Sequence, residues 1–185
     1  MKPHWILKPA LLAASLFVAA GVWMAAAQSG DSAAAAKPQP EAILHAAEAA
    51  KLLPDAVFFR GQSATTQVRN SGGVRFDDGM YMLVTLVDTS GYSTGVQAKY
   101  QAYLLTEVAL EINGKPLPAG AYGVGFIADN KFDVMDIGAH ELFEADSVRD
   151  ADLKRPTPLQ VLAAPNAHHF RLYGGRSYVT ISRAD

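Results

Sequence analysis

From residue 55 onward, apolar residues come in short runs rich in Val, Ile, Leu, Phe and Tyr, and most gaps between runs hold turn-forming residues. Runs of roughly four to eight residues punctuated in this way make strands joined by tight turns, and leave no room for the crossover helices of a parallel sheet. The spacing predicts strands over 57–60, 66–68, 81–87, 97–105, 108–112, 122–127, 132–137, 159–163, 170–173 and 178–182. The clearest turn is Asn113-Gly114, where both central residues of a type I′ hairpin need positive φ. Ser71-Gly72-Gly73, Asp78-Gly79, Ala128-Asp129-Asn130, Pro165-Asn166 and Gly174-Gly175 are weaker signals of the same kind. The expected fold is mainly β, a single antiparallel β-sandwich or open barrel over residues 41–185 with one N-terminal helix.

That helix is expected over 41–53. Ile43, Ala47 and Ala50 share one side, Glu41, His45, Glu48 and Lys51 the other, and Pro54 stops it. Before it, residues 28–40 are small, polar and proline-containing, the composition of a flexible tether. Residues 1–27 read as a signal peptide, with Lys2 and Lys8 in front of an uncharged apolar stretch that ends in Ala25-x-Ala27. Cleavage is expected after Ala27, which makes the protein secreted or periplasmic, with no membrane insertion once the signal is cut. The alternative is an uncleaved anchor, since an apolar run of this length is able to span a bilayer.

Residues 111–126, EINGKPLPAGAYGVGF, place a strand, the Asn-Gly turn, a Pro-Ala-Gly corner and a tyrosine that opens the next strand in sequence. This segment resembles parts of secreted bacterial β-sandwich domains of unknown function. The resemblance implies a fold and a compartment, and no activity.

Composition narrows the partners. The chain has 16 basic and 18 acidic residues, and Lys2 and Lys8 would leave with the signal peptide, so the exported part is net acidic and nucleic acid is not an expected partner. There is no cysteine, so neither a disulfide nor a lipidated cysteine supports the domain, and its stability must come from buried apolar surface. Trp5 and Trp23, the only tryptophans, both lie in the signal peptide, which weighs against a sugar site built on broad aromatic faces.

Three motifs carry candidate chemistry. Gly91-Tyr92-Ser93-Thr94-Gly95 matches G-x-S-x-G, the nucleophile elbow of α/β-hydrolases, with Asp136 and then His168 or His169 in the hydrolase order. An elbow needs a helix directly after the serine, whereas Val96, Ala98, Tyr100 and Ala102 alternate with Gln97, Lys99 and Gln101 and predict a strand, so the expected Ser93 is an ordinary turn residue. His140 and Glu144, four apart, would share a face on a helical turn and are the candidate metal ligands; the rest of the charged stretch up to Pro158 reads as a solvated loop, and no metal or other cofactor is expected. In Tyr122-Gly123-Val124-Gly125-Phe126, alternation leaves a bare glycine face. Gly123 and Gly125 would either seat a neighbouring element such as the 41–53 helix or floor a ligand trough. The function expected from these residues is non-catalytic: binding of a small or apolar ligand or of an envelope protein. A serine hydrolase using Ser93 is the alternative.

Overall fold

The computed structural model describes residues 39–184. The expected signal peptide, and all of the tether except Gln39 and Pro40, lie outside the described residues. Two antiparallel sheets pack face to face. The larger runs, in spatial order, β1 (Ala42–Leu44), β3 (Gln62–Arg75), β4 (Tyr81–Val87), β5 (Ala102–Thr106), β8 (Gly120–Ile127), β9 (Lys131–Met135) and β10 (Glu141–Asp146), while β2 (Ala56–Phe59) pairs with the first residues of β3. The smaller runs β12 (Leu159–Ala163), β13 (His169–Gly174), β14 (Ser177–Arg183), β6 (Leu110–Ile112) and β7 (Lys115–Leu117), with β11 (Val148–Arg149) beside β14. The mainly β fold expected from the turn spacing is the one observed.

Period-two alternation builds the main core. Val84, Leu104, Val124 and Val134 point inward from the larger sheet and meet Ile112, Leu172, Val179 and Ile181 of the smaller one, all of them essentially without exposed surface. Dehydration of such side chains is worth about 1.5–3 kcal/mol each, so this layer is the dominant favourable contribution to folding. Asn113 and Gly114 have φ of 48° and 76° and pair Ile112 with Lys115, the expected type I′ hairpin. The asparagine also fixes the turn to its surroundings: its Oδ1 accepts from Thr180 N at 2.8 Å and its Nδ2 donates to Asp146 O at 2.5 Å.

Outside residues 97–105, three stretches differ from their expected form. The helix expected over 41–53 is instead strand β1, which extends the edge of β3, followed by the single turn α1 (Ala46–Ala49), where Glu48 caps the His45 N–H at 3.0 Å. Burial of Leu44, Ala49 and Leu53 on the sheet decides this conformation over helix propensity. Ser71-Gly72-Gly73 runs through β3 in register with β4 and is no turn. The expected loop around Glu144 is β10, and the chain passes through Ser147 into β11, crossing from one sheet to the other. The segment after it is pinned by Arg176, whose guanidinium donates to the carbonyls of Ala151 at 3.0 Å and Leu153 at 2.9 Å.

Replacing Gly114 by valine puts a β-branched side chain at positive φ, and should lower stability by about 1–3 kcal/mol in equilibrium denaturation. An unchanged midpoint would show that this turn carries no conformational demand.

Candidate functional site

The outward face of the larger sheet is also apolar. Across it run Leu83, Leu105 and Ala121, paired neighbours on β4, β5 and β8, and next to them Tyr103, Gly123 and Met135. Two covers lie on this surface. At one side Leu44, Ala49 and Leu53, in and around α1, pack on Leu83. At the other, the β2–β3 hairpin and the helix α2 (Thr94–Lys99) contribute Val57, Phe59, Tyr92, Val96 and Tyr100.

The strand expected from Gln97 to Leu105 therefore begins only at Ala102, and a helical turn and a half precedes it. Val96 and Tyr100, four apart, satisfy both a period of two and a helical face, and burying both against the sheet selects the helix. This helix covers the glycine strip. A Cβ on Gly125 would overlap the Lys99 carbonyl oxygen, and one on Gly123 would overlap the Phe59 ring, which stacks on Tyr100 at 3.8 Å between centroids. The reading of Gly123 and Gly125 as a ligand floor is thus corrected: the trough is filled by the protein's own side chains, and by α2 rather than by residues 41–53.

Ser93 sits at the N-cap of α2, with an exposed side chain that makes no capping hydrogen bond. The helix directly after it is what an elbow has, but its other features are missing. Its φ and ψ of −62° and 153° are relaxed, five residues separate it from the end of β4, and every pairing of that sheet is antiparallel. The histidines expected to serve it lie elsewhere. His168 Nδ1 is 3.0 Å from Glu41 Oε2, and both His168 and His169 line a polar cleft of about 720 Å³ with Glu41, Glu111 and Arg183. Asp136 pairs instead with His140, Nδ1 to Oδ2 at 2.9 Å, and accepts from the His140 and Gly138 amides; those backbone donors hold its carboxyl below the usual range. Ala139, forced to a φ of 67° in that turn, borders a depression of about 240 Å³ together with Ser93, Arg60 and Lys99.

The metal reading of His140 and Glu144 needs a helical turn, and the chain there is extended. Among the described residues no group of three His, Asp or Glu side chains is arranged around a common ion position. Asp133, whose strand neighbour is Glu144, is fully buried on the outward face, and Lys99 Nζ reaches both it, at 3.3 Å, and Glu141, at 2.6 Å.

Between the two covers the sheet stays open. Leu52, Tyr81, Leu83, Leu105 and Ala121, with Thr106, Glu107 and Gly120, line a groove of about 600 Å³. The one carboxylate at its rim is engaged, Glu107 Oε2 accepting from the Tyr81 N–H at 2.8 Å. None of these residues stands out as a site in the sequence. The available signal is that 81–87, YMLVTLV, is apolar at nearly every position, a mark of a strand covered on both faces. No family model, curated protein or solved structure matches the chain.

If α2 is seated by the glycine strip, Gly125→Val should displace it at a cost of about 1–3 kcal/mol, whereas Gly95→Ala, with open space around it, should be close to neutral in the same melt.

Proposed function

We propose that this is an exported, non-catalytic binding domain whose outer-face groove holds a small apolar ligand. The observation that carries the reading is the groove over Leu83, Leu105 and Ala121: its volume falls in the range of about 300–1,000 Å³ usual for ligand sites, and its floor is hydrocarbon. Leu52, 46% exposed at its edge, is poorly placed for solvent and well placed to close over a guest. Export is supported by the charged and apolar pattern of residues 1–27, and a cysteine-free core suits either redox compartment. An envelope protein inserting an apolar side chain would use the same floor. The purified protein should enhance the emission of an environment-sensitive naphthalene sulfonate dye. Leu105→Lys should weaken that binding about tenfold or more with the fold retained, because lysine can lay its stem on the sheet and bring its charge into the groove. Undiminished dye binding in Leu105→Lys would place the apolar site elsewhere.

The alternative, hydrolysis by Ser93, gains from one observation, the helix that follows the serine. Its relaxed backbone and the distant placement of His168 and His169 count against it. The protein should not react with a fluorophosphonate probe; stoichiometric labelling abolished by Ser93→Ala would reverse the order of the two readings.

A further inference from the structure

Asp133 points outward from β9, beside Gly125 of β8 and Glu144 of β10, yet its side chain has no exposed surface because α2 closes over it. Neither carboxylate oxygen accepts a hydrogen bond from the protein. Its single charged contact is Lys99 Nζ at 3.3 Å, in the last turn of α2, and that ammonium is shared with Glu141. A carboxylate sealed in this way, with one shared counter-ion and no hydrogen bonds, is costly, and the neutral acid is far less so. We propose that α2 is a charge-gated cover, closed over neutral Asp133 and displaced more often once Asp133 is ionised, which uncovers the Phe59–Tyr100 stack and the glycine strip beneath.

The groups facing Asp133 settle the direction. Burial pushes its carboxyl above the ordinary value, the Lys99 ammonium pulls it back, and Glu141 and Glu144 add to the upward push; β8 presents only Gly125. Burial is the largest of these, so the closed state holds the proton more tightly than a hydrated, open state. The stability that Asp133 contributes is therefore fully present below the ordinary carboxylate value and is lost as pH rises through the raised one. The open population should grow in that window by up to about tenfold per pH unit, and level off above it. The Lys99–Glu141 pair adds little, since Glu141 is about half exposed and a solvated ion pair counts for little. The device is independent of what the groove binds.

Amide hydrogen exchange of the full chain, corrected for intrinsic rates, tests it. The amides of Gln97, Tyr100 and Gln101 are hydrogen-bonded when α2 is seated, to Ser93 O, Val96 O and Val124 O respectively. Their protection should fall as pH rises from about 3 to 7 and lie well below that of β13 and β14 throughout. Asp133→Asn should abolish the pH dependence and keep these amides protected at neutral pH, and Glu141→Gln should preserve it. Lys99→Met, which removes the counter-ion, should exchange faster than wild type above the window and match it below. The proposal is overturned if the wild type shows no pH dependence, if its α2 amides exchange in step with β13 and β14, or if Asp133→Asn keeps the wild-type profile. Should Asp133→Asn not fold, a Lys99→Met profile identical to wild type overturns it equally.

Discussion

The larger sheet is apolar on both faces, and the rest of the structure follows from having to cover both. Its inner face is answered by the second, six-stranded sheet, the ordinary solution for a sandwich. The outer face receives no third layer. It is covered piecemeal by the turns around α1 and by α2 with the β2–β3 hairpin, each too short to persist alone and each held by a few anchors: Leu44, Ala49 and Leu53 in one, Phe59, Val96 and Tyr100 in the other. What these pieces leave bare is the groove. The smaller sheet, by contrast, turns Gln160, Arg171, Tyr178 and Thr180 away from the core, and only its buried Tyr173 is covered, by the segment at Asp150, to which it donates a hydrogen bond.

Sheet edges are protected by equally local means. β10 carries Glu141, Glu144 and Asp146 and breaks register between Glu141 and Phe143, while β7 contains Pro116 and is followed by Pro118. The β10–β11 crossing closes one side of the sandwich. On the other, β12 packs on β3 at Gly72, where an added Cβ would lie 3.3 Å from Val161 N.

The sandwich was legible in the sequence because its signals are local: 81–87 and 159–163 match their strands to the residue, and Asn113-Gly114 needs no tertiary information to be a hairpin. The covers were not legible, because tertiary burial decides them. Residues 41–53 and 94–101 each fit two periodicities, and only contact with the sheet chooses between them. Glycine misled for a related reason. At Gly114 it answers a demand for positive φ, whereas at Gly72, Gly73 and Gly125 it answers close approach by another segment, and both look alike in a single chain. The groove is a gap between covers, so no residue type announces it. Asp133, the most unusual side chain on that face, reads in sequence as one more acidic residue in a charged stretch.

A working face on the outside of the larger sheet is therefore the central claim, and nuclear magnetic resonance tests it most directly. In methyl-labelled protein titrated with a medium-chain alkyl probe, the account predicts shift changes gathered on Leu52, Leu83, Leu105 and Ala121, with Leu172, Val179 and Ile181 of the inter-sheet core unmoved. Changes confined to the smaller sheet, or to the polar cleft around His168 and His169, would contradict it.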